Sequence, residues 1–289
     1  MTNENTLPLM KHLVELRKRL IIVFFAIIIG MGVAWNLSAD MLRFIEKPLT
    51  GHTYLTVIKK DLYEGMKKKF PAIYSRFNLE KDTATKGKER QLNYSAPLEP
   101  FFVQCKISLI AGLILVLPVI FHQVWLLVAP GLKIRGKRLL VPFVLSATIS
   151  FCIGATFFLT VIWPVIINFS LSYETEGLNS WFNLSAYVSF CLRLILIFGL
   201  IFELPIIAML LSRIGLINGK LLEKNRKYAL LASAIISAFH ADLLTMFVIM
   251  VPLYLMYEIS VWVARIFAKE KLAISPEQDD AVLLGHTAP

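Results

Sequence analysis

The feature that most limits what this chain can fold into is a series of apolar runs, each long enough to cross a bilayer, separated by basic connections. A spanning helix needs about 20 mostly apolar residues. Runs of that order occupy residues 20–37, 101–128, 139–169, 186–211 and 243–263, and a shorter one, 228–239, is parted from the last by His240-Ala241-Asp242. Of the 289 residues, 57% are hydrophobic and 17% charged, against roughly 45–50% and about 25% in globular chains. No soluble interior hides that surplus. The expected fold is an all-α integral membrane protein of six transmembrane helices, the fifth and sixth short. Pro118, Pro142, Pro164, Pro205 and Pro252 fall inside the spans. Each removes a backbone donor and bends a helix, which predicts a curved scaffold rather than a straight bundle.

Charge assigns the two sides. The lead carries Lys11, Arg17, Lys18 and Arg19, and the connection after the second span carries Lys133, Arg135, Lys137 and Arg138. Arg213, Lys220, Lys224, Arg226 and Lys227 follow the fourth span, and the tail opens with Arg265, Lys269 and Lys271. By contrast, the connection around Tyr173 holds Glu174 and Glu176, and the turn at Asp242 is also acidic. Basic connections stay in the cytoplasm, so six spans with both ends inside fit, while five would put the basic tail outside. The expected organisation is a cytosolic amphipathic lead (1–19), a six-helix domain (20–267) and a flexible cytosolic tail (268–289). A lysine-rich insertion, about residues 50–92, is expected outside, because connections of that length translocate largely regardless of charge. Its Leu55, Ile58, Leu62, Met66, Phe70, Ile73 and Phe77 recur at roughly helical spacing, predicting one or two external amphipathic helices.

Several function classes drop out. The net charge of +10 sits mostly between spans, where topology and anionic lipid put it, not on a nucleic-acid face. Cys105, Cys152 and Cys191 lie in apolar stretches without ligand spacing and read as small hydrophobes. His12, His52, His122, His240 and His286 are scattered. No phosphate-cradling glycine loop or nucleophile elbow is present. The pattern implies neither an enzyme nor a cofactor.

Two acids stand out. Leu9, Leu13, Leu16 and Leu20 give the lead an apolar stripe suited to the membrane interface, with Lys11, Glu15, Lys18 and Arg19 opposite. Glu15 either pairs with Lys11 or Arg19 one turn away, worth a few tenths of a kcal/mol, or offers a docking carboxylate at the cytosolic surface. Glu203 lies about ten residues inside the fourth span, some 14 Å deep at about 1.5 Å per residue. An ionisable group there costs several kcal/mol unless neutralised or paired. It is either a protonated glutamate hydrogen-bonded to another helix or a functional contact. Arg193, about 15 Å away along the same helix, is out of its reach. Lys106 and Arg193 read as snorkelling cations near the outer surface.

The run His12-Leu13-Val14-Glu15-Leu16-Arg17-Lys18-Arg19-Leu20 resembles the signature of the TatC family, the receptor component of the twin-arginine protein translocase. Further motifs follow in that family's order: Lys47-Pro48-Leu49, Glu99-Pro100-Phe101-Phe102, Gln123-Val124-Trp125, Ala129-Pro130-Gly131-Leu132 and Arg138-Leu139. Later come Phe198-Gly199-Leu200-Ile201-Phe202-Glu203-Leu204-Pro205, Pro252-Leu253-Tyr254 and Tyr257-Glu258-Ile259. The match spares only the insertion and the tail.

The resemblance implies a multi-pass protein of the bacterial inner membrane that binds twin-arginine signal peptides of folded precursors. Single-span TatA-like and TatB-like subunits would join it in a multimeric complex driven by the proton gradient. Glu15 matches the docking acid, flanked by Leu16, Arg17 and Arg19; Glu203 matches the contact for partner helices, with Met246 at the position where the family carries a glutamine. Pro48, Phe101, Pro130, Asp242 and Glu258 fall on further family positions. One departure matters. The family's second acid, between spans two and three, is here Gly136 among cations. Either Glu15 acts alone, or Glu258 or Glu223 substitutes, or signals are read loosely. The rival reading is a proton-coupled small-solute transporter using Glu203, for which no inverted repeat is visible.

Overall fold

The computed structural model describes residues 6–50, 91–131, 140–172, 181–213, 215, 217, 219–238 and 243–267. The turn at Asp242, the connection holding Gly136, most of the insertion and the tail therefore lie outside the described residues. Among those described, every regular element is helical, and the one extended pairing is an isolated bridge between Asn93 and Asn183.

The helices in chain order are α1 (Thr6–Ala34), α2 (Ser38–Glu46), α3 (Glu99–Leu115), α4 (Leu117–Gly131), α5 (Leu140–Phe157) and α6 (Trp163–Ser172). Then follow α7 (Leu184–Phe202), α8 (Leu204–Arg213), α9 (Gly219–Lys224), α10 (Arg226–Ala238) and α11 (Leu243–Phe267). Four stretches are long and apolar enough to cross a bilayer: Val14–Leu49, Leu140–Leu171, Leu184–Arg213 and Met246–Phe267. A fifth exists if α3 and α4, bent by 57° at their junction, form one span. The expected span over residues 228–239 appears as α10, whose 13 residues measure about 20 Å at 1.5 Å each, short of the ~30 Å hydrocarbon layer. Large apolar side chains are exposed along the helices, Ile29, Trp262 and Ile266 each about two-thirds (68%, 67% and 69%), a breadth of apolar surface that soluble monomers rarely carry.

Prolines set the breaks. Pro118 is the second residue of α4, which opens at Leu117, two residues after Leu115 closes α3. Pro164 cannot donate to Thr160, and the chain widens just before it into a π turn at Phe158–Ile162, where the Trp163 N–H reaches back to Phe158 O. Pro205 cannot donate to Ile201, and α7 ends at Phe202 with Glu203 as its last cap.

The chain divides into two compact units, Met1–Glu203 with Ser237–Ile249, and Leu204–Ile236 with Met250–Pro289. In the first, Phe158, Trp163, Val188, Leu194, Ile195 and Phe198 are fully buried around stacked rings, with Phe158 and Phe198 centroids 5.2 Å apart. Trp163 Nε1 and the Tyr187 hydroxyl both donate to Ile45 O, each at 3.0 Å, satisfying a carbonyl that the end of α2 leaves free. Glycines let backbones touch: a Cβ on Gly30 of α1 would sit 2.6 Å from Gly112 O of α3, and one on Gly112 2.4 Å from Met31 N. Small residues at crossings are how helices pack tightly without a hydrophobic drive between them. In the second unit the Ser212 hydroxyl donates to Ala264 O at 2.9 Å and the Tyr257 hydroxyl to Leu222 O at 2.7 Å. Gly215, at φ +78°, turns the chain out of α8.

Candidate functional site

Glu15 and Arg19 share one face of α1 and form an ion pair one turn apart. Arg19 also donates through Nη1 to Gln123 Oε1 on α4 at 3.4 Å. Two residues on, Trp125 is buried and lies against Phe143 of α5, centroids 4.8 Å apart. Glu15, Arg19 and Gln123 thus form one polar cluster across two helices. Arg17, two residues on and so on the opposite side, is exposed. It lines a shallow apolar depression with Leu16, Leu20, Ile21, Phe24 and Phe25. Of the four expected docking residues, the structure gathers Glu15 and Arg19 into the cluster and sets Leu16 and Arg17 in the depression. Gln123 was visible only as part of a motif; its pairing to a residue 104 positions away has no sequence signal.

Glu203 is 4% exposed, and its Oε1 has no hydrogen-bond partner among the described residues. The preceding residue fixes the spot: Phe202 O accepts the Ser150 hydroxyl at 2.6 Å, and the Phe202 ring packs on Phe157, centroids 5.7 Å apart. Arg193 is turned elsewhere, its Nε bonded to Ser189 O at 3.2 Å. Met246 is half-buried in the first turn of α11.

Among the remaining expected positions, Pro48 is buried in the 3-10 turn Lys47–Thr50. Phe101 is exposed, edge-on to Trp35 and Phe102. Pro130 lies in the last turn of α4. Glu258, raised as a substitute acid, is already bonded by Arg226 at 2.8 Å and by the Tyr254 hydroxyl at 2.9 Å. Glu223, the other substitute, is paired with Arg265. Two polar ties were missed in the sequence. Glu99 accepts from Ser95 N at 2.7 Å and Ala96 N at 3.3 Å, and from Ser185 N of α7 at 2.9 Å. Lys106 donates to Ser185 Oγ and Ser189 Oγ at 3.2 and 2.9 Å, so it joins α3 to α7 rather than only snorkelling.

Residues 11–252 match the family profile described as Sec-independent protein translocase protein (TatC). The chain belongs to the TatC family. A TatC protein of Desulforapulum autotrophicum is 29% identical over 272 residues, covering 93% of this chain and 88% of its own length. Another, from Magnetococcus marinus, is 31% identical over 266 residues, covering 91% and 85%. A crystal structure titled as the twin-arginine translocase receptor TatC superposes with a TM-score of 0.69 at 30% identity, covering 88% of this chain and 99% of that one. As a TatC chain, this is a multi-pass membrane protein whose family role is translocation rather than catalysis. Its helical fold is that of a solved TatC structure. Within it, the carboxylates of Glu15, Glu223 and Glu258 each carry an arginine of the same chain.

Proposed function

We propose that the chain is the receptor core of a twin-arginine translocase in the bacterial inner membrane, with both termini in the cytosol. Glu15 receives a guanidinium of the signal peptide beside Arg19, while Leu16 and Arg17 offer the neighbouring apolar depression to the rest of the peptide. Partner single-span helices gather at Glu203 and Met246, and the proton gradient drives passage of the folded cargo. The observation that carries this reading is Glu15 itself, a 44% exposed carboxylate at the mouth of an apolar span and already engaged with a guanidinium. The chemistry agrees: the planar guanidinium fork suits a carboxylate better than an ammonium does.

Purified full-length protein, titrated with a fluorescent twin-arginine peptide and its twin-lysine counterpart, tests the reading. The native chain prefers arginine, and Glu15→Ala abolishes the preference. Undiminished discrimination by Glu15→Ala removes that residue from the site.

A further inference from the structure

Arg19 is more withdrawn from solvent than the acid it serves: its side chain is 17% exposed against 44% for Glu15. An ordinary surface pair on a helix points its arginine outward. Here the guanidinium turns inward, held by Glu15 on α1 and by Gln123 on α4, and its Nε is buried with no partner among the described residues. Two further acids also carry an arginine of the chain, Glu258 taken by Arg226 and Glu223 taken by Arg265, but there the arginine is the more exposed partner. Each of these acids is filled by an arginine of the chain's own.

We propose that Arg19 is a resident stand-in for the signal's arginine: in the free receptor its guanidinium fills Glu15, and the ligand binds by exchanging with it. The proposal rests on the reading of Glu15 as the docking acid. The exchange is guanidinium for guanidinium, so the carboxylate is never left bare at the rim of the membrane. The displaced Arg19 keeps the Gln123 carbonyl oxygen as a partner on α4.

The consequence is quantitative. If Glu15 is open only a fraction of the time, the apparent Kd of any ligand at that acid is its intrinsic Kd divided by that fraction. The reduction is the same for an arginine and a lysine ligand. The stand-in therefore sets how tightly a signal binds, while the choice of arginine over lysine comes from the shape of the guanidinium fork. The strength of exposed ion pairs sets the expected reduction at about two- to fivefold.

Two substitutions test this in the full-length protein reconstituted in lipid nanodiscs, read by anisotropy with the twin-arginine and twin-lysine peptides. Arg19→Lys keeps the charge but gives up the fork and the bond to Gln123. Arg19→Gln removes the cation altogether. The expected result is tighter binding of both peptides, up to about two- to fivefold for Arg19→Gln and less for Arg19→Lys, with the arginine-to-lysine ratio unchanged. Lys18→Gln, which removes one positive charge from the next residue, changes affinity less than Arg19→Gln. If Arg19→Gln does not elute as a single folded species, Arg19→Lys decides alone. Equal or weaker binding by Arg19→Lys overturns the proposal, because a residue that merely positions Glu15 or ties α1 to α4 cannot strengthen binding when disturbed. A collapse of the ratio overturns it as well. Glu15→Ala keeps the two readings apart. Full peptide binding without the carboxylate sinks both, whereas weakened binding there with no tightening at Arg19→Lys sinks the stand-in alone.

Discussion

Glu203 and Glu15 are both carboxylates on apolar helices, but their neighbourhoods differ. Glu15 is half-exposed and paired; Glu203 is buried with an oxygen that no described group satisfies. A polar atom in that condition costs folding energy, on the order of 1–3 kcal/mol. Glu203→Leu is therefore expected to leave thermal stability in detergent unchanged or raise it, while removing the co-purification of single-span partners. A lower melting temperature would mark Glu203 as structural instead. Both acids were legible in the sequence, one from its family motif and the other from its depth in an apolar run. Their partners were not. Gln123 reaches Arg19 and Ser150 reaches Phe202 only after distant helices meet, and local pattern carries no record of that.

At the scale of helices, the breaks were written in the chain and the crossings were not. Pro118, Pro164 and Pro205 sit beside the bend, the π turn and the end of α7, because a missing N–H acts locally. Gly30 and Gly112, in contrast, look like any glycines in apolar runs until α1 and α3 are brought together. Gly112→Ala pushes a methyl against the Met31 backbone, which cannot give way as a side-chain tip would. The expected loss is about 1–3 kcal/mol, seen as a lower unfolding temperature. Gly32, two residues from Gly30, has nothing within 4 Å of its would-be Cβ. Gly32→Ala is expected to be neutral or to gain up to ~1 kcal/mol of helix propensity. Equal losses at the two sites would place the effect in the helix rather than the crossing.

For the molecule as a whole, the parity of spans depends on α10. Its 13 residues present Tyr228, Leu231 and Ile235 outward, as a lipid-facing helix does, yet it is shorter than the hydrocarbon layer. A short helix crosses by thinning the bilayer around it. We expect cysteines placed at Asn3 and near residue 280 to be modified by a membrane-impermeant maleimide from the same, cytosolic side. Modification from opposite sides would mean α10 does not cross. All-helical, apolar and bent was readable from composition and prolines. The count was not, because an apolar run of about a dozen residues suits a crossing and an interfacial helix alike.

The chain between α2 and α3 is tethered at both shores. Before it, Ile45 O is gripped by Trp163 and Tyr187. After it, Asn93 exchanges backbone bonds with Phe182 and Leu184, at 3.0 and 2.8 Å. Neither of these two tethers uses a residue of 51–90. Each bank is held by bonds of its own, so a reporter or epitope inserted between them would pull on moored ends rather than on loose helices.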